Sequence, residues 1–299
     1  MNLHLLRIFM AVVEHQGFSR AAEALHVSQP AVSKAVRELE HQLGLPLLER
    51  GGGRGRGVVL TGHGESLHRH ARAIFALERT AMEDVRARVE LRRGALRVGA
   101  STTVAGYWLP PQVAAFVQRF PGIDFELRVG NTAGIGHAIA EGRLDVAFVE
   151  GVVDEPGIVA TPWREEALQA VVGADARIGA KRRASVAELS RQSWLLREAG
   201  SGTRQVAQRE LRRHGIRPAR QVELGSNEAI ARAVAEGAGV ALLPEVVVHD
   251  LVAMGRVRVL RLAGDAGVRR PLYRLELADR PRPPALQAFV DLVEAAARG

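Results

Sequence analysis

The chain contains no cysteine. That excludes a disulfide scaffold, a cysteine nucleophile, thiol-based redox sensing and any thiolate metal site. Lysine is almost missing too: Lys34 and Lys181 are the only two among 41 basic residues, and the rest are arginine. Aromatic residues make up 4% of the chain against 47% hydrophobic, so its cores must be largely aliphatic. No clean apolar run of 18 residues occurs, and Met1 is not followed by a basic segment and an apolar stretch. The expectation is a cytoplasmic protein with no membrane partner. At 299 residues, more than one domain is expected.

What is present is positive charge, a formal +8 at pH 7. Nucleic-acid binding needs a basic surface. A GC-rich codon bias would raise arginine, alanine and glycine together, so composition does not decide. Residues 1–66 carry seven basic against six acidic side chains, so any DNA recognition there rests on placement rather than on sum.

The order of patterns divides the chain. Leu3, Leu6, Phe9 and Val13 share one helix face, and Gly17 stops that helix. Ser19 is placed to cap a second helix, His26-Val27 to form a tight turn, and Ser28 to cap a third helix buried through Val32, Val36, Leu39 and Leu43. The glycine-rich stretch 51–57, followed by a short strand at Val58-Val59-Leu60, reads as a hairpin wing. Beyond Gly64 the chain runs to Arg93 without proline or glycine, which predicts a long helix with Leu67, Ala71, Ile74, Ala81 and Val85 as its stripe. So narrow a stripe suggests a partner helix and self-association. Of His63, His68 and His70, at least two lie on this helix and are expected in solvent. After Gly94, short apolar strands alternate with helices, the mark of a parallel-rich α/β domain of two lobes.

Residues 18–40 form a helix-turn-helix pattern. Ala21 and Ala22 supply the small side chains where two helices cross. Gln29, Ser33 and Arg37 lie four apart, with Pro30 and Lys34 beside them, opposite the apolar stripe. Gln29, Ser33 and Lys34 can bond base edges, Pro30 can touch a thymine methyl, and Arg37 suits a phosphate. Ser28 opens the same helix. Arg50, Arg54 and Arg56 flank the wing, within reach of a minor groove or phosphates.

The run from Leu3 and Phe9 through Ala21-Ala22, Leu25, Ser28-Gln29, Ser33, Leu39-Glu40, Leu43-Gly44, Leu47 and Arg50 to Leu60-Thr61 and Gly64 resembles the LysR-type transcriptional regulators. Leu48 and Gly17 depart from that pattern, which more often has Phe and Ser there, and the wing is longer by about three residues. The resemblance covers the whole chain. It implies an α/β protein with an N-terminal all-α winged helix-turn-helix over 1–61 and a dimerisation linker helix over 62–93. An effector-binding domain over 94–299, like a periplasmic binding protein, would follow. Its first lobe would take about 94–162 and 269–299, its second about 163–268. The implied partners are double-stranded promoter DNA, a small effector and the protein itself, as homodimer or homotetramer.

In open α/β domains ligands sit where strands give way to helix N-termini. Four such junctions carry hydroxyl, amide or glycine residues: Ser101-Thr102-Thr103, Asn131-Thr132, Gly200-Ser201-Gly202-Thr203, and Ser226-Asn227. Each alone is also an ordinary cap. Unsatisfied N–H groups there favour a negative ligand. Glu150, closing a strand, either adds an acceptor to the cleft or forms a salt bridge. Gly130-Asn131-Thr132, Val149-Glu150-Gly151, Arg197-Glu198 and Gly200 to Arg204 look like the branch of Calvin-cycle operon and sulfur-assimilation regulators. That branch implies an anion, oxyanion or phosphorylated metabolite, with Ser101, Thr102, Thr103, Asn131, Thr132, Glu150 and Thr203 lining the pocket.

Catalysis finds no support: there is no Gly-x-Ser-x-Gly elbow, no His-Glu-x-x-His, no Walker lysine and no Gly-x-Gly-x-x-Gly. No cofactor or metal is implied. The expected function is an effector-modulated LysR-type regulator. A solute-binding protein without a transcriptional role, or a repressor whose lobes have lost their ligand, stands as the alternative.

Overall fold

The computed structural model describes residues 2–49, 58–87, 94–151, 153, 155–179, 183–260, 267–278 and 280–298. The wing residues Arg50, Arg54 and Arg56 lie outside them, as does the end of the expected linker helix, 88–93. The chain divides into two compact units, Met1–Ala81 and Met82–Gly299.

In the first unit, α1 (Leu3–Glu14), α2 (Phe18–Leu25) and α3 (Gln29–Leu43) pack around Ile8, Val12, Ala21, Ala22, Val32 and Val36. Ala21 and Ala22 are buried, as a close helix crossing requires. The cap of α2 differs from expectation. Gly17 holds the N-cap position and Ser19 lies inside the helix, because Phe18 joins the core as the first helical residue. Ser28 does occupy the N-cap of α3, with no side-chain bond to the helix. Leu43, at the end of the α3 stripe, is exposed. Glu40 instead ties α3 to the segment that follows: its carboxylate accepts from the N–H groups of Leu47 at 2.8 Å and Leu48 at 3.3 Å. The expected strand at Val58-Val59-Leu60 reduces to a single antiparallel bridge between Leu48 and Leu60.

The long helix α4 (Gly62–Ala87) begins where Thr61 donates its hydroxyl to Pro46 O and accepts from Gly64 N. Any Cβ at Gly64 would meet Leu47 O at 2.0 Å, so only glycine permits this approach. The stripe of α4 divides. Leu67, Ala71 and Ile74 pack on Leu6, Phe9, Met10 and Leu39 of the same unit. Ala81, further along, is exposed, with Leu77 and Met82 beside it. The side chain of Val85 lies outside the described residues. His63 and His70 face solvent, whereas His68 is buried edge-on against Phe9.

The second unit is built on a nine-stranded sheet. One lobe carries β1 (Gly94–Ser101), β2 (Ile123–Gly130) and β3 (Val146–Glu150), with α5 (Pro110–Arg119), α6 (Thr132–Ala140) and α11 (Pro284–Arg298). Residues Val104–Trp108 form a π-helical turn between β1 and α5. The other lobe carries β5 (Ser193–Leu196), β6 (Arg220–Glu223), β7 (Val240–Pro244) and β8 (Val257–Leu260). Its helices are α7 (Val186–Ser190), α8 (Gly202–Arg213), α9 (Asn227–Ala235) and α10 (Glu245–Ala253). Parallel pairs β1–β2, β1–β3, β5–β6 and β5–β7 make each lobe α/β.

Two long strands, β4 (Ile158–Gly173) and β9 (Val268–Leu277), run antiparallel to each other and join the lobes. They extend beyond the short apolar runs visible at Ala167–Val172 and Leu272–Leu277. The first half of β4 alternates between exposed and half-buried residues, so it lacks a continuous apolar signal. A register shift lies between Pro162 and Arg164.

The few aromatic residues are concentrated in the first lobe. Phe116 meets Phe120, Phe125 and Phe289 at ring distances of 5.0, 5.6 and 5.4 Å. The second lobe is aliphatic around Trp194, with Leu196, Val206, Val240 and Leu242. Among the described residues no helix is long and apolar enough to cross a membrane.

Candidate effector cleft and DNA-reading face

On α3, Ser28, Gln29, Pro30, Lys34 and Arg37 are exposed, and Ser33 is half-buried. The Gln29 amide donates to Ser33 Oγ at 2.9 Å, and the Arg37 guanidinium donates to Ser33 O at 3.2 Å. This leaves Lys34 as an unbranched cation projecting from the face, while Gln29 and Arg37 are pre-oriented along it. Val32, Val36 and Leu39 turn inward, so the polar face is fixed by core packing.

In the second unit, the four strand-to-helix junctions meet between the lobes. Ser101, Thr103, Thr132, Glu150, Ser201, Gly202, Thr203 and Asn227 are buried, while Thr102 and Asn131 are partly exposed. The Asn227 amide donates to Thr103 Oγ1 at 2.8 Å and to Thr203 Oγ1 at 3.3 Å, linking α9, the first lobe and α8. Thr203 in turn donates to Glu150 Oε1 at 3.4 Å. Thr132 Oγ1 donates to the Glu150 carbonyl at 2.6 Å. Gly202 opens α8 so close to β3 that a Cβ there would stand 2.1 Å from Glu150 O. Ser226 caps α9 through Ala229 N, and Asn131 caps α6 through Gly134 N.

Four charged residues of this network escaped the sequence reading of the pocket. Arg270 on β9 donates through two nitrogens to Glu166 Oε2 on β4, at 2.5 and 2.8 Å, and through the third to Thr203 Oγ1 at 2.9 Å. The other oxygen of Glu166 accepts from Trp108 Nε1 at 2.8 Å. Arg197 grips Glu198 by both oxygens and donates to Thr102 Oγ1 at 3.0 Å. Asn131 Nδ2 reaches Glu198 Oε1 and Ala199 O, both at 3.3 Å. Burial raises the Glu198 pKa, but the bonds from Arg197, from its own backbone N–H and from Asn131 outweigh it and hold the carboxyl below its usual value. The pair Arg197-Glu198 was visible as a motif. Glu166 and Arg270 carried only the weak signal of a charge inside an apolar strand.

The cleft also holds polar atoms without a hydrogen-bond partner among the described residues. Ser101 Oγ, Ser201 Oγ, Glu150 Oε2 and Asn227 Oδ1 are buried without a hydrogen-bond partner. Buried polar groups are normally paired, so four such atoms between the lobes stand out.

Residues 3–65 match the bacterial regulatory helix-turn-helix protein model of the lysR family, and residues 90–298 match the LysR substrate binding domain. The chain belongs to the LysR family of transcriptional regulators. This LysR-type regulator is 33% identical over 297 residues to the HTH-type transcriptional regulator CbbR of Rhodospirillum rubrum, across 99% of this chain and 97% of the relative. Full-length OxyR of Pseudomonas aeruginosa shares its fold with a TM-score of 0.74 and 27% identity, covering 100% of this chain and 97% of that one. The CcmR regulatory domain of Synechocystis, solved in complex with 2-PG, matches at a TM-score of 0.63 and 28% identity, over 69% of this chain and 99% of that one. These names are those of transcriptional regulators, which are not enzymes. None of these matches supports a solute-binding protein without a transcriptional role, or a regulator whose lobes have lost their ligand.

Proposed function

We propose that this LysR-type regulator acts on promoter DNA in the cytoplasm and is controlled by a small anion held between its two α/β lobes. The four unpartnered polar atoms at the interlobe junction carry this reading. Three helices begin there, α6, α8 and α9, and their N-terminal dipoles favour negative charge. Ser101, Thr102, Thr103, Asn131, Thr132, Ser201, Thr203 and Asn227 are the hydroxyl and amide ligands in this reading, Gly202 gives the close approach, and Glu150 is an acceptor. The CcmR domain's 2-PG complex is in keeping with an anionic effector. A bound effector that bridges both lobes would prefer one lobe arrangement and so shift the regulator's equilibrium between DNA-bound states.

In the same reading Ser28, Gln29, Pro30, Ser33, Lys34 and Arg37 face the major groove, and Arg50, Arg54 and Arg56 reach the backbone or minor groove from the wing. The exposed Leu77 on the second half of α4 belongs to the self-association surface that yields a dimer or tetramer.

The test is a thermal-shift panel on the full chain with sulfate, phosphate, phosphorylated sugars, small carboxylates and uncharged analogues. An anion is expected to raise the melting temperature of the wild type and not of Thr203→Val. If only an uncharged compound stabilises the protein, the anion reading is wrong.

A further inference from the structure

Glu150 closes β3, against Thr203 and Gly202 at the start of α8, and is 1% exposed. Its Oε1 accepts from the Thr203 hydroxyl at 3.4 Å and lies 3.9 Å from an Arg270 nitrogen, while its Oε2 has no hydrogen-bond partner among the described residues. The ion pair with Arg270 is long and engages Oε1, not Oε2. Arg270 gives two nitrogens to Glu166, and Arg197 gives two to Glu198. Asn227 presents a second acceptor of the same kind. Its amide nitrogen is spent on Thr103 and Thr203, so its unpartnered Oδ1 can only accept. Ser101 and Ser201 add two unpartnered hydroxyls, which can donate or accept.

The unsatisfied set is therefore mixed: two fixed acceptors and two hydroxyls. A fully deprotonated oxyanion such as sulfate offers lone pairs only. It would satisfy the hydroxyls and helix N-termini but would press its oxygens against a buried carboxylate. Leaving Glu150 desolvated and unpaired is costly, and like charge adds to the cost. Hydrogen phosphate, or a phosphate monoester near its second ionisation, carries a P–OH that can donate to Glu150 while its other oxygens accept.

We infer that Glu150 is a specificity-determining residue that selects an oxyanion bearing a proton, the hydrogen phosphate group free or as a monoester, over sulfate. This rests on the anion-binding reading of the cleft and narrows it.

The experiment is calorimetric titration of the full chain, near pH 7 and at matched ionic strength, with inorganic phosphate and with sulfate. The wild type is expected to prefer phosphate by about 10-fold or more, the factor that one unsatisfied buried acceptor commands. Glu150→Gln turns the acceptor into an amide that can donate, so its preference is expected to collapse towards parity through tighter sulfate binding. Arg270 keeps Glu166 as its counter-ion in that variant, and its melting temperature without ligand reports whether it folds. If it does not fold, the wild-type ratio still decides. Equal wild-type affinity for both anions, or an unchanged preference in a folded Glu150→Gln, overturns the role of Glu150 while leaving the anion cleft standing. Failure of the wild type to bind either anion overturns this inference alone, and the anion reading of the cleft then stands or falls with the wider thermal-shift panel.

Discussion

Arg270 and Glu166 stand directly opposite each other on β9 and β4, the two strands that join the lobes, and the guanidinium holds one carboxylate oxygen by two nitrogens at 2.5 and 2.8 Å. Both side chains are about 2% exposed or less. Through Thr203 the pair reaches the junctions between the lobes, and through Trp108 it reaches the first lobe. An ion pair so placed ties the two strands that join the lobes to Thr203 at the start of α8. It does so at a desolvation cost that an apolar pair would avoid.

Removing one partner should therefore be far worse than removing both. Arg270→Met is expected to lower unfolding free energy by about 3–5 kcal/mol, because Glu166 is left buried and unpaired beside Glu150. The double variant Arg270→Met, Glu166→Leu is expected to regain most of that loss in denaturant titrations. It should still lack full stabilisation by the effector, since Thr203 has lost the shorter of its two donors and keeps only Asn227 at 3.3 Å. A double variant no more stable than Arg270→Met would show that the charges are not coupled as the geometry requires.

How far these features are legible in sequence depends on how local their causes are. The helix-turn-helix is legible because each signal is short-range: the Val32, Val36 and Leu39 stripe, the small Ala21-Ala22 pair, and Gly44 ending α3 in a left-handed turn. The cleft junctions are legible because Ser, Thr and Asn recur where strands turn into helices. Glu166 and Arg270 are not, because they are 104 residues apart and each looks like one charge in a half-exposed strand. Ser19 misleads for the opposite reason. Its capping chemistry is sound, but packing of the half-buried Phe18 on the core starts the helix two residues earlier, with Gly17 as its cap. The stripe of α4 is legible as apolar, yet periodicity cannot say that Leu67, Ala71 and Ile74 are spent on the same unit.

Lys34 offers the cleanest test of the DNA-reading face. It is exposed on α3 in a chain that otherwise uses arginine almost throughout, and Val32, Ala35 and Val36 beside it hold the helix in place. Lys34→Ala should leave folding intact and weaken promoter binding by roughly 3- to 10-fold in gel-shift titrations, with the log–log salt slope smaller by about 1 if the ammonium meets a phosphate. Weakening that differs between operator variants would assign it to a base edge instead. Unchanged affinity would remove Lys34 from the interface.

The Arg197–Glu198–Asn131 contact predicts an acid limit to interlobe stability. Glu198 is held below its usual value near 4.5 in the folded state, burial being outweighed by the bonds from Arg197, its own backbone N–H and Asn131. A carboxylate with a depressed folded pKa contributes fully above its unfolded pKa, and that contribution is lost as pH falls through the lower folded value. Glu198→Gln keeps an oxygen for Arg197 but no longer titrates. Unfolding free energy measured from about pH 6 down to about pH 3 should therefore fall less steeply for the variant, with the difference confined to the region below about pH 4.5. Parallel curves for variant and wild type would mean that Glu198 titrates alike folded and unfolded, and that its bonds to Arg197 and Asn131 do not hold the lobes together in solution.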